Sequence, residues 1–130
     1  MLSLRGVLLS LVAIGTGSAA HADQSMDRVL KELEPEERAH QVCNLRGLDA
    51  VRKGSHLRGI DRITTNILQP AAFKDNVVIA KGGAVRAKNH WYKLDFKCAV
   101  TTDQMKATSF EFQLGDEIPE EKWETYGLWK

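Results

Sequence analysis

Cysteine is scarce: Cys43 and Cys98 are the only two in 130 residues. That excludes a disulfide-dense scaffold and a four-thiolate zinc site. No Cys-x-x-Cys is present, so the usual redox motif is absent as well. Three catalytic signatures are also missing: a phosphate-cradling Gly-x-x-x-x-Gly-Lys, a Gly-x-Ser-x-Gly elbow, and a His-Glu-x-x-His zinc helix. Charge of one sign is lacking too, with 18 basic and 17 acidic residues. No apolar run reaches the roughly 20 residues that a membrane-spanning helix needs. The length excludes a multi-domain enzyme. With 43% hydrophobic and 27% charged residues, the chain is globular rather than disordered or collagen-like.

The longest apolar run, Val7 to Ile14, follows Arg5 and is broken by Gly15-Thr16-Gly17-Ser18. Ala20-His21-Ala22 then supplies small residues at the −3 and −1 positions of a cleavage site. This is the pattern of a secretory signal peptide over 1–22, leaving a single domain over 23–130. The expected location is periplasmic or secreted, with no transmembrane segment once the signal is removed. No cysteine sits just after the cleavage point, which argues against a lipid-modified terminus. In an oxidising compartment paired thiols persist, and two cysteines allow one pairing, Cys43–Cys98.

The mature chain is net neutral, but its charge is segregated. Residues 39–97 hold eleven Lys and Arg against four acids, and the flanks are acidic. Either the acidic ends fold against this basic middle, or the middle meets an anionic partner.

Met26, Val29, Leu30 and Leu33 share a stripe on a helix over 26–33, capped by Ser25. Pro35 opens a second helix over 35–43, with Ala39, Val42 and Cys43 on one face. A third over 45–53 turns Leu45, Leu48 and Val51 inward, unless it fuses with the second. Residues 54–76 read as a short helix or turn-rich connection. From Val77 the period becomes two. Val77 to Ala80 is a short strand, Lys81-Gly82-Gly83 a bend, and Val85 and Ala87 continue the alternation. In the clearest strand, Tyr92, Leu94, Phe96, Cys98 and Val100 alternate with Trp91, Lys93, Asp95, Lys97 and Ala99. After a turn at 102–104, Phe110, Phe112 and Leu114 alternate again. A turn at Lys88-Asn89 pairs Val85 with Tyr92 and Arg86 with Trp91. A three-residue turn pairs Leu94 with Phe112 and Phe96 with Phe110. A last short helix begins at Pro119, carries Trp123 and Tyr126, and ends at Gly127. The expected fold is α+β, with N-terminal helices packed on a three- to four-stranded antiparallel sheet. The disulfide would pin helix to sheet.

Several segments carry the motifs of one family. Leu33-Glu-Pro-Glu-Glu-Arg-Ala-His-Gln-Val-Cys43-Asn-Leu45 resembles its helical signature. Gly82-Gly-Ala-Val-Arg86, Trp91-Tyr-Lys-Leu-Asp-Phe-Lys-Cys98 and Ser109-Phe-Glu-Phe-Gln-Leu-Gly115 resemble its strand signature. Ile118-Pro119, Trp123 and Tyr126-Gly-Leu128 resemble its ending. The family is the exported alphaproteobacterial "domain of unknown function 930". The resemblance spans about 33–128, implies an exported protein of rhizobial-type lineage with both cysteines in motif positions, and brings no catalytic residues.

The residues assign no catalyst, cofactor or metal. Ser55 and His56 are sequence neighbours that need not face each other. His40, His56 and His90 lack metal-ligand spacing. Glu34, Glu36 and Glu37 favour a helix start electrostatically. Trp123, Tyr126 and Trp129 close a core or stack on sugar rings. The strongest lead is the outward face of the sheet, where Arg86, Lys88, Lys93 and Lys97 surround Trp91. Such a face suits an anionic envelope component, lipopolysaccharide or peptidoglycan, or an envelope protein. Nucleic acid is excluded by export and neutrality. The expected function is a non-catalytic periplasmic binding or interaction module. The alternatives are a small envelope glycan or peptidoglycan hydrolase, and a protein inhibitor of an envelope enzyme presenting the loop 54–59.

Overall fold

The computed structural model describes residues 18–130, and side chains from Gln24 onward. The expected signal therefore lies outside the described residues, apart from 18–22. Helix α1 spans Ser18–Glu32 and begins well before the expected cap at Ser25. Ala19, Ala20 and Ala22 have the highest helix propensity of any residue type and carry the helix upstream. Its apolar stripe is only half used: Leu30 is buried, whereas Met26 and Val29 are exposed. Arg38 closes the C-terminal end of α1, donating to the carbonyls of Leu30, Lys31 and Leu33 at 2.8, 3.2 and 2.8 Å.

Pro35–Gly54 form one helix, α2, so the expected second and third helices are fused. Ala39, Val42, Cys43, Gly47 and Val51 lie on its buried face. Leu45 departs from the expected inward orientation and is 44% exposed. In a continuous helix it falls about 160° from Gly47, outside the stripe that the sheet covers.

Five antiparallel strands follow: β1 Ile60–Thr64, β2 Ala72–Lys74, β3 Val77–Ala87, β4 His90–Val100 and β5 Ala107–Glu117. The order is β1-β3-β4-β5, with β2 beside β1 along the same edge of β3. The α+β expectation holds, with one strand more than the upper count. Two corrections concern local structure. Segment 54–76 holds no helix beyond Gly54, the last residue of α2: it supplies β1 and β2, and Ile60, Ile63 and Thr64 of β1 are β-branched residues suited to a pleated surface. Lys81-Gly82-Gly83 does not end a strand. It forms a bulge inside the continuous β3, between Ala80 and Gly83. A Cβ at Gly82 would collide with the backbone nitrogen of Gln69, so the bulge requires glycine.

The hairpin at Lys88-Asn89 has the expected pairing, Val85 with Tyr92 and Arg86 with Trp91. Both turn residues take positive φ, 48° and 63°. The second hairpin is two residues out of the expected register. Phe96 faces Phe112 and Cys98 faces Phe110, because the connection runs from Thr101 to Lys106 and a bulge at Ala99/Val100 interrupts the pairing beside it. A shift of two preserves the face of every side chain. Phe110 and Phe112 therefore still meet α2, where Gly47 and Gly54 leave room for their rings.

Among the described residues two apolar clusters result. The larger lies between α2 and the inner sheet face, and Cys43–Cys98 crosses it with Cα atoms 6.0 Å apart. The smaller lies on the outer face at one end. There Ala84 and Trp91 are covered by Ile118, Trp123 and Leu128. Trp123 and Tyr126 sit on a short helix, α3 (Trp123–Tyr126), which stops at Gly127 in the left-handed conformation (φ 69°).

Candidate functional site

The five residues expected on an open basic face are divided by the C-terminal segment. Trp91 has no exposed surface. Its indole N–H donates to the Trp129 carbonyl at 2.7 Å, and the two indoles meet edge-on with centroids 5.4 Å apart. The side chain of Arg86 is 11% exposed. It donates through Nε and Nη2 to the two Asp61 oxygens, at 2.9 and 2.6 Å. This forked pair holds the Asp61 carboxyl below the usual carboxylate range, the Arg86 hydrogen bond being the largest cause. Arg86 and Trp91 thus lie on the expected face, but not in solvent. Strand alternation assigns a side; it does not say what covers that side. Lys93 and Lys97 remain exposed, with Lys81 on β3 and Lys88 in the turn. Asp95 and Glu111 lie among them, Glu111 directly opposite Lys97.

The other sequence candidates take structural places. Ser55 donates to the Val51 carbonyl at 2.7 Å and accepts from the Leu57 N–H, closing the end of α2. His40 packs near Thr65, and burial lowers its pKa against the opposing effect of Glu36 and Glu37. Among the described residues no group of three or more His, Cys, Asp or Glu could hold a metal ion. No described helix is long and apolar enough to cross a membrane.

The tail that buries Trp91 brings Trp129 to the rim of a groove of about 430 Å³. The groove runs along β1, between α2 and the chain end. Gln41, Asn44, Leu45 and Leu48 form one wall, and residues 61–67 the other. Trp129 is 45% exposed, yet it is tightly held. The guanidinium carbons of Arg62 and Arg86 lie 5.6 and 5.7 Å from its ring centroid. Asn44 Oδ1 and Thr64 Oγ1, from residues lining the groove, are buried without a hydrogen-bond partner in the protein. Sequence reasoning considered Trp129 but missed the rest, because α2, β1 and the C-terminus contribute one or a few residues each and share no motif. The one local sign was Leu45, an apolar residue that a continuous α2 leaves outside the core stripe.

A search of curated proteins and a search of solved structures find no match. A family model matches residues 30–128, from the last turn of α1 to the C-terminal tail. That span holds both cysteines, all five strands and the Trp91–Trp129 cluster up to Leu128, and by this match the chain belongs to the family described as Domain of Unknown Function (DUF930).

Proposed function

We propose that this protein is a non-catalytic binding or interaction module, acting in the periplasm or outside the cell on a component of the envelope. The Cys43–Cys98 disulfide supports an oxidising compartment, in keeping with the export signal read at 1–22. The observation that carries the binding role is the groove. Leu45 and Trp129 are among the few large apolar side chains left exposed in the described structure, and both line it. Isolated exposed apolar residues need no explanation, but two in one groove of mixed polar and apolar lining mark a contact surface. The same groove favours binding over hydrolysis. Its one described carboxylate, Asp61, is held ionised by Arg86, whereas a glycosidase acid needs a raised pKa and a second carboxylate across the cleft.

A second reading, docking on an anionic component, rests on the exposed Lys81, Lys93 and Lys97 on the open part of the outer face. Each charge alone contributes little and is screened over about 8 Å at physiological salt.

Retention of the purified protein on isolated envelope fractions tests both readings. Trp129→Ala should weaken retention if the groove is the contact. Lys93→Glu with Lys97→Glu, or rising salt, should weaken it if the lysines are. Failure of the wild-type protein to bind any fraction overturns the proposal.

A further inference from the structure

We infer that the groove between α2, β1 and Trp129 is a binding site for a neutral glycan chain, an inference that rests on the groove being the contact surface proposed above. Three observations converge on that ligand class. The lining is mostly uncharged, half polar and half apolar apart from Asp61 and Arg62: Gln41, Asn44, Thr64, Thr65 and Asn66 supply amide and hydroxyl groups that can both donate and accept. A sugar ring presents the same mixture, hydroxyls that donate and accept in turn. At the rim stands Trp129, an indole with exposed surface whose position is fixed by four contacts. These are the Trp91 hydrogen bond to its carbonyl, the edge of the Trp91 ring, and the Arg62 and Arg86 guanidinium groups. A pinned aromatic ring is a ready platform for the apolar C–H face of a pyranose, and little conformational entropy is lost when the ligand stacks on it.

The third observation concerns Asn44 Oδ1 and Thr64 Oγ1. Buried polar atoms are satisfied in the large majority of cases, and leaving one unpaired costs stability. Two such atoms on residues lining a single groove are accounted for if a ligand supplies the missing partners. Both atoms lie just beneath the groove wall, so a glycan reaches them once the Asn44 and Thr64 side chains turn into the groove: its hydroxyl or acetamido hydrogens then bond Asn44 Oδ1, and its ring or hydroxyl oxygens accept from Thr64. The groove volume falls within the roughly 300–1,000 Å³ of small-molecule sites.

An extended peptide added to β1 is the competing occupant. It is less favoured, because the Ile60 carbonyl is already taken by Arg52 from α2 at 3.2 and 2.8 Å. Residues 67 and 68 are likewise turned away, both donating to the Gly82 carbonyl.

The test is titration of the full chain with N-acetylglucosamine tetramer and with maltotetraose, followed by calorimetry and tryptophan fluorescence. At least one should bind saturably, shift the emission of the protein, and hold its affinity as salt rises, since the ligand is uncharged. Trp129→Ala should weaken binding by about tenfold or more, which is about 1.4 kcal/mol. That variant keeps the backbone carbonyl that receives the Trp91 bond. Thr64→Val is the sharper variant. It replaces an unpartnered buried hydroxyl by a methyl of the same shape, so it should raise the melting temperature while weakening glycan binding. A residue with a purely structural role would not move the two in opposite directions. Absence of saturable binding to both glycans, or binding undiminished in both variants, overturns the inference. Envelope retention that is lost in Trp129→Ala without glycan binding would reject the ligand class and leave the groove as the contact. Retention indifferent to Trp129→Ala would reject both.

Discussion

The inner and outer faces of the sheet are closed by different means. On the inner face, α2 lays a continuous apolar stripe across β1, β3, β4 and β5, and one covalent bond ties the layers together. On the outer face, a few residues of the chain end cover a single corner. Polar linkages hold that corner as much as apolar ones: the Trp91–Trp129 hydrogen bond, the Asp61–Arg86 fork and guanidinium–indole contacts. The remainder of that face stays open and charged. The difference teaches that a two-layer domain can bury a large aromatic on its solvent side without a second helix layer, provided every polar group beside it is paired. It also places the most exposed indole at the seam between the covered corner and the β1 edge, where a ligand can reach it.

The comparison can be broken first at Trp91. If the outer corner is a true core, Trp91→Ala should cost about 3–5 kcal/mol, as for other fully buried aromatics, measured by urea unfolding. A loss below about 1 kcal/mol would make the tail a loose cover. Removing the disulfide by Cys43→Ala with Cys98→Ala should cost about 4 kcal/mol, from the entropy of closing a loop with a sequence separation of 55. An intact fold with an unchanged denaturation midpoint would show that the inner face does not depend on its covalent tie. Next in size is Gly47→Ala. A Cβ there would lie 2.7 Å from Phe110 Cζ and 2.9 Å from Ile63 Cδ1. Overpacking should cost about 1–3 kcal/mol, read from the same unfolding curves, and a stabilised variant would mean that α2 sits farther from the sheet.

A smaller effect concerns pH. Burial lowers the folded pKa of His40, so the unfolded state binds the proton more readily. The His40 contribution is present above the ordinary histidine pKa of about 6.5 and is lost as pH falls through the lower folded value. Unfolding at pH 8 and at pH 5 should show a drop in stability that His40→Gln reduces, and an unchanged drop would assign it to other groups. Smallest of all, Lys93→Glu should change stability by less than about 0.5 kcal/mol by thermal melting. A larger loss would mean that the open part of the outer face is also structurally covered.

Much of this architecture could be read from residue order. The alternation from Tyr92 to Val100 placed Cys98 inward, and the helical spacing of Ala39, Val42 and Cys43 placed Cys43 opposite it, so the disulfide followed. Lys88-Asn89 defined its hairpin and Gly127 its helix stop. The register of β5 was less legible. Chain direction and face survive a shift of two residues, so the hydrophobic pattern alone does not choose between the alternatives. Strand β1 escaped recognition because Ile60, Ile63 and Ile67 have helical spacing, and only a bulge between Ile60 and Arg62 lets Ile60 and Ile63 both face the core; β2, Ala72–Lys74, is too short to show a period.

Local sequence thus determined which residues alternate, where turns fall and which cysteines can meet, because each depends on backbone geometry over a few residues. Tertiary structure alone decided that Trp91 and Arg86 are covered, that Asp61 is the partner of Arg86, and that Gln41, Asn44, Thr64 and Trp129 border one groove. Those outcomes join segments from 20 to 88 positions apart. Whether such segments meet depends on how the whole chain packs, which no local periodicity encodes.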